Sequence, residues 1–261
     1  MPPPAAQDAQ DVEARLARLR FFTTSSFPCP YLPGQQERSQ AVTPEARVDT
    51  ATYAVLARLG FRRSGAHIYR PRCDACAACV PVRLPVARLV PDRSQRRALR
   101  RHAGLQVQAT PLHFDAAHYA LYVRYQASRH PGGSMDGAGS RASYLDFLLE
   151  SDVDTCLVAF SDATDLRMVS VVDTLDDGLS AVYTFYDPDR PGASYGTYGI
   201  LWLAEWARSL GLPYLYLGYW IRGSEKMAYK ANFRPLQGRV EGVWRELSAA
   251  ELGRRNETCA R

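Results

Sequence analysis

GLSAVYTFYDPDRPGASYGTYGILWLAEWARSLGLPYLYLGYW, residues 178–220, is the stretch whose reading decides the fold. It opens as a strand rich in β-branched and aromatic residues. A loop carrying Gly192, Gly196 and Gly199 follows, then an apolar helical run from Ile200 and a second, tyrosine-rich strand. Two further strand patterns precede it, TCLVAF (155–160) and LRMVSVVDTL (166–175), with tight turns at Asp162 and at Asp176-Asp177-Gly178. Three consecutive strands on short turns predict an antiparallel meander. A meander continued by a glycine loop, a helix and another strand predicts an α+β layer built on a central sheet.

Upstream, TATYAVLARLG reads as a helix with Asp49 as N-cap and Gly60 as its stop. FRRSGAHIYRPR predicts a hairpin turning at Ser64-Gly65, and VPVRLPVARLV a proline-interrupted, edge-like strand. PDRSQRRALRRHAG predicts a helix ending at Gly104. The strand LQVQATP follows, then an amphipathic helix from Asp115 to His130 and a short helix over Tyr144–Glu150. Residues 1–14, rich in Pro, Ala and Asp, are expected to be disordered, and PGGSMDGAGSR (131–141) to be a mobile loop. The pattern divides the chain into a tail over 1–14, a cysteine-containing domain over 15–104, a second domain over 105–245 and a tail over 246–261.

At 261 residues, with 46% hydrophobic and 23% charged residues, the composition is that of a globular protein. No apolar run is long enough to cross a bilayer, and the N-terminus lacks the pattern of a secretory signal. A cytoplasmic location and no membrane partner are the expectation. There thiols stay reduced, which favours ligation over cross-linking for a cysteine cluster.

Four constellations carry chemistry. Cys73, Cys76 and Cys79 recur at a three-residue step, and Cys29 is the remaining cysteine of the first half. Four thiolates suit a tetrahedral zinc ion and equally an iron–sulfur cluster, while accidental clustering of small buried side chains is the plain alternative. Cys156, in a strand, and Cys259, in the tail, read as bystanders. Arg93, Arg96, Arg97, Arg100 and Arg101 crowd one helix beside a lone Asp92. Such a patch suits phosphate contact, against the plain reading of a solvated face. Tyr183, Tyr186, Tyr219 and Trp220 stand near strand ends, where aromatic rings stack on a base or line an apolar pocket; Tyr214 and Tyr216 read as sheet packing. Amides of the glycine loop suit an anion or oxyanion. The loop lacks the R/Q-x-x-G-x-G/A spacing of GNAT-type N-acetyltransferases, so acetyl-CoA is not expected.

Six segments together are similar to one family: FPCPYLPGQQER, GFRRSGAHIYRPRCDACAACVPVRLPV, SQRRALRRH, LYVRYQASRH, SAVYTFYDP and YLYLGYWIRGSEKMAYKANFRPL. Between residues 20 and 245 the chain resembles the bacterial aspartate/glutamate leucyltransferases, relatives of the arginyl-tRNA–protein transferases. The resemblance implies an α+β protein with an N-terminal cysteine-containing region and a C-terminal GNAT-like domain with a largely antiparallel central sheet. It implies transfer of leucine from leucyl-tRNA to proteins with an N-terminal Asp or Glu, a mark for degradation in the N-degron pathway. Arginyl-tRNA is the alternative donor, and coenzyme A-dependent N-acetylation or metal-containing RNA binding without catalysis are readings from other classes. An aminoacyl ester is already activated, so catalysis is expected mainly from positioning, with Tyr183, Asp187 and Tyr219 as polar candidates. Arg62, Arg83, Lys226 and Lys230 are the candidate cations for the acceptor carboxylate. The arginine helix is the candidate tRNA contact, and the resemblance maps Cys29, Cys73, Cys76 and Cys79 onto the family's cysteine positions.

Overall fold

The computed structural model describes residues 14–129 and 140–253. The expectations for residues 1–13, for most of the loop over 131–141 and for Cys259 fall outside the described residues. The chain forms a four-stranded sheet of order β1-β4-β6-β5, a two-stranded ribbon β2-β3, and an eight-stranded sheet. The small sheet and ribbon comprise β1 (Phe21–Thr23), β2 (Phe27–Pro28), β3 (Gln36–Glu37), β4 (Ser39–Val42), β5 (Arg62–Ser64) and β6 (His67–Pro71). Helix α1 (Thr50–Arg58) packs with them; the Asp49 side chain accepts from Thr52 N at 2.8 Å, and Gly60 takes up a left-handed φ of 88° beyond its end.

The large sheet has the order β14-β13-β7-β12-β11-β10-β9-β8. Its strands are β7 (Val80–Pro85), β8 (Gln106–Pro111), β9 (Thr155–Ser161), β10 (Leu166–Leu175), β11 (Gly178–Tyr186), β12 (Tyr214–Trp220), β13 (Gln237–Val240) and β14 (Val243–Glu246). β9, β10 and β11 form the antiparallel meander that the turn residues announce. β11 and β12 are the parallel neighbours, and every other ladder of this sheet is antiparallel. Side chains of the meander alternate between two helices, as a pleated strand requires. Val158, Phe160, Met168 and Val172 share a core with Leu201, Leu203 and Ala207 of the helix that follows the glycine loop. Leu157, Val169 and Val171 share another with Leu121 and Tyr122 of the amphipathic helix.

Two readings change. β7 is not an edge strand: it lies between β12 and β13. Its prolines are tolerated because β13 bonds only to Val82 and Arg83, between Pro81 and Pro85. The same strand carries the first-half chain into the centre of the large sheet, across the boundary drawn at residue 104. Beyond it, the helix α2 (Arg93–Arg101) is closed at its start by a capping box of Asp92 and Gln95.

The small sheet is fastened to the large one by Arg63, 2% exposed, and Asp173, fully buried. Arg63 Nε donates to both carboxylate oxygens at 3.1 and 3.0 Å, Nη2 donates to Asp173 and to Thr155 Oγ1, and Nη1 donates to Gly65 O. Replacing Arg63 by Ala strands a buried carboxylate, and we expect a loss of about 3–5 kcal/mol in urea unfolding. The double variant Arg63→Met, Asp173→Leu should recover most of that loss. An Arg63→Ala protein as stable as the wild type would refute this role for the pair.

Candidate functional site

The helix between β11 and β12 is α4 (Tyr195–Ser209), preceded by α3 (Ala116–Arg129) on the other face of the sheet. The two parallel strands bond only over Gly178–Ser180 with Tyr214–Tyr216. Past those three residues they part. Each strand has a bulge at the parting: Val182 is skipped in the ladder to β10, and Leu217 in the ladder to β7. Carbonyls at such positions lose their strand partners, and buried carbonyls need donors. Arg62 supplies them. Reaching in from β5, its Nη1 donates to Leu217 O at 3.4 Å, and its Nη2 to Val182 O and, at 3.5 Å, Ala181 O.

Gly218 makes room for this guanidinium. It has a φ of 73°, and a Cβ there would stand 1.7 Å from Arg62 Nη1. A glycine inside the strand pattern YLYLGYW is the one sequence signal that marks the parting.

Further polar side chains lie near enough to Arg62 to feel its charge. Lys230, 4% exposed, donates through Nζ to Tyr219 O at 2.5 Å and approaches Met227 Sδ at 3.4 Å. Neither Arg62 nor Lys230 is ion-paired among the described residues. Burial, then the charge of Arg62, holds the Lys230 amine well below its usual range, against the pull of Cys79. Burial also pushes the Tyr31 hydroxyl up to about 12, with Arg62 opposing. Tyr183, whose hydroxyl donates to Gln126 Oε1 at 3.3 Å, and Tyr229 are shifted upward by burial against the same guanidinium. The neighbourhood of Arg62 therefore combines a guanidinium that has no carboxylate partner among the described residues with hydroxyls that stay protonated at neutral pH.

The fold brings together Arg62, Lys230 and Tyr183 from the expected residues. Others have different work. The Tyr219 hydroxyl donates to Gly60 O at 2.8 Å and ties β12 to the end of α1, so it is a structural contact. Asp187, 4% exposed, receives Arg167 Nη1 at 2.8 Å and lies within 4 Å of Arg124 and Arg190; its carboxylate is consumed by ion pairing. Arg83 lies 3.5 Å from the Tyr214 ring centroid and 4.4 Å from that of Trp244, donates to Gln237 and Tyr216, and stands at the closed end of the strand pair. Lys226 is exposed on the short helix Glu225–Ala228. Trp220 belongs to the core.

Arg93, Arg96, Arg97, Arg100 and Arg101 are all exposed, and none forms an ion pair with another described residue. The last turn of α2 abuts the glycine loop, where Arg101 donates to Gly192 O and His102 Nε2 lies 2.7 Å from Ala193 O. The described cysteines are all free thiols. Cys79 is pushed up to about 12 by burial and by the neighbouring thiols of Cys73, Cys29 and Cys76. The four therefore share one neighbourhood. Even so, among the described residues no three His, Cys, Asp or Glu side chains are arranged to hold a metal ion.

Residues 27–97 match the family described as arginine-tRNA-protein transferase, N terminus, and residues 117–239 match its C terminus. The chain belongs to this family. It is 58% identical to an aspartate/glutamate leucyltransferase of Nitrosospira multiformis, over 87% of this chain and 90% of that protein. Its counterparts of the same name in Thiobacillus denitrificans and Chromobacterium violaceum are 53% and 51% identical, over 91% and 89% of this chain and 98% and 96% of theirs. Among solved structures, L-PGS from Bacillus licheniformis is 10% identical with a TM-score of 0.44, covering 84% of this chain and 76% of that one. The two family matches lie on either side of residue 104, although β7 is woven into the second half.

Gly211 offers a control for Gly218. Both have a φ of 73°, but a Cβ at Gly211 meets nothing within 4 Å. Gly211→Ala should cost about 1–2 kcal/mol of backbone strain alone. Gly218→Ala carries that strain and also expels Arg62, so it should cost clearly more in thermal unfolding. Equal losses would show that Arg62 does not need the space.

Proposed function

We propose that the protein transfers leucine from leucyl-tRNA to the N-terminal amine of proteins beginning with Asp or Glu, in the cytoplasm, marking them for degradation. Membership of the family and the name shared by its relatives support the reaction class. The observation that carries the acceptor choice is the positive charge of Arg62, half-buried and without an ion-pair partner among the described residues, at the parting of β11 and β12. An N-terminal Asp or Glu presents a carboxylate at a short, limited distance from its amine. The positive charge of Arg62 attracts that carboxylate and so orients the nucleophile on the ester carbonyl. The α-amine attacks, the amide bond forms, and the ester oxygen leaves with the terminal ribose of the tRNA, taking up the proton that the amine releases. Protonated hydroxyls such as that of Tyr183 are suited to donate to the oxyanion of the tetrahedral intermediate. No helix among the described residues is long and apolar enough to cross a membrane.

The test supplies labelled leucyl-tRNA or arginyl-tRNA and peptides beginning with Asp, Glu, Asn or Ala. Transfer of leucine to the Asp and Glu peptides is expected, with Asn disfavoured by roughly ten- to a hundredfold, the value of one charge-assisted hydrogen bond. Transfer from arginyl-tRNA alone would move the donor assignment to arginine, and transfer without acidic preference would remove the acceptor assignment.

The exposed arginine helix adds a salt-dependence test. Changing Arg93, Arg97 and Arg100 to Gln should reduce the slope of log affinity for tRNA against log salt concentration by roughly 0.7–0.9 per lost phosphate contact. Peptide affinity should not change. An unaltered slope would return these side chains to a solvated surface.

A further inference from the structure

Gln126 is a polar side chain on the wrong face of its helix. It is 6% exposed and lies on the side of α3 that also buries Leu121 and Tyr122 against Val169, Val171 and Phe185 of the meander. A buried amide is costly unless it is bonded, and a methionine would fill the same volume without that cost. Both ends of the amide are in fact bonded. Its Nε2 donates to the Tyr122 hydroxyl at 2.8 Å, and its Oε1 accepts from the Tyr183 hydroxyl at 3.3 Å. Tyr122 is fully buried and fixes the amide's orientation. Tyr183 stands at the parting of the strands, because the residue before it, Val182, gives its carbonyl to Arg62. Its ring meets Phe147 edge-on at 5.3 Å and Tyr122 at 6.4 Å. With the ring gripped on two sides, the freedom left to Tyr183 is rotation of its hydroxyl hydrogen.

We propose that Gln126 is a positioning residue of the transfer, keeping the Tyr183 hydrogen on its own amide oxygen until the tetrahedral intermediate draws it away; this role rests on the transferase reading above. The ester carbonyl of the bound donor is neutral and offers Tyr183 no better acceptor than the amide does. When the amine attacks, that carbonyl oxygen takes up a negative charge. A hydrogen bond to an ionised acceptor is roughly twice as strong as one between neutral groups. The hydrogen then turns from the amide to the oxyanion, and only hydrogen bonds are exchanged in that turn. An interaction made only in the transition state lowers the barrier without tightening ground-state binding. The two bonds of Gln126 suit this work in their lengths. The one to Tyr183, at 3.3 Å, is long enough to be surrendered, while the one to Tyr122, at 2.8 Å, holds the amide in place meanwhile.

The test compares steady-state leucine transfer to an Asp-initiated peptide by the wild type, Gln126→Met, Tyr183→Phe and the double variant, each first shown to be folded by thermal unfolding. Gln126→Met should lower kcat about two- to tenfold, the value of one neutral hydrogen bond, without raising KM for leucyl-tRNA or for the peptide. Tyr183→Phe should lower kcat at least as far. Adding Gln126→Met to it should cost nothing more, because the amide then has no hydroxyl to hold. Gln126→Glu gives a second readout. Its carboxylate competes with the oxyanion for the Tyr183 hydrogen, so its kcat relative to the wild type should be lowest at high pH and rise as the carboxyl protonates. A glutamine that only packs the core would give the same fractional loss with Tyr or Phe at position 183, and no such pH dependence. Equal losses in the two backgrounds, or wild-type turnover by Gln126→Met, would overturn this role while leucine transfer by the wild type left the transferase reading standing. A wild type that transfers no leucine would overturn that reading, and the role of Gln126 with it.

Discussion

Arg62 holds the carbonyls of two bulged strands, and the site exists because those strands cannot close. Parallel strands joined by a crossover helix ordinarily pair along their length. Here β11 and β12 stop pairing after three residues, and the unpaired carbonyls of Val182 and Leu217 are met by one guanidinium. Arginine suits the place because its planar fork donates in two directions at once, which an ammonium on a flexible stem cannot do. The neighbouring residue makes the reach possible. Successive side chains on a strand point to opposite faces, so the hairpin that sends Arg62 into the parting sends Arg63 the other way, onto Asp173 and Thr155. One short strand thus serves as both hinge pin and wedge.

The electrostatic character of the site follows from this arrangement. Carbonyl dipoles solvate the half-buried Arg62, but no carboxylate among the described residues pairs with it, and burial together with the Arg62 charge holds the nearby Lys230 amine well below its usual range. Keeping a half-buried charge without a partner is costly, and an anionic group placed beside Arg62 recovers part of that cost. An acidic N-terminus supplies such a group along with the amine that reacts. Tyr31 stands close enough to feel the Arg62 charge, and Cys79 close enough to Lys230 to act on its amine.

What could be read from the sequence was mostly local. Asp49, Gly60 and Gly65 mark caps and turns through their own backbone preferences, and the meander follows from short polar turns between β-branched runs. The arginine helix was visible through charge density alone. Pairings between distant segments were not. β7 looked like an edge because of its prolines, and only its two-residue contact with β13 reconciles them with an interior place. Arg83 and Arg62 are both arginines on β-strands, yet one is spent on a stack with Tyr214 and Trp244 and the other faces the parting. Asp187 likewise looked reactive until Arg167, more than fifteen residues earlier in the chain, was found to hold it. Gly218, a lone glycine in a strand, has its physical reason in a side chain from the other half of the protein.

The most direct measurement of this account is leucine transfer by Arg62→Lys, compared with the wild type at saturating tRNA and at saturating Asp-initiated peptide. Lysine retains the charge but cannot bridge the carbonyls of Val182 and Leu217. The account predicts that kcat falls by at least about tenfold, the value of one lost charge-assisted bond, with tRNA affinity unchanged. A variant that turns over as the wild type does would contradict the central place of Arg62.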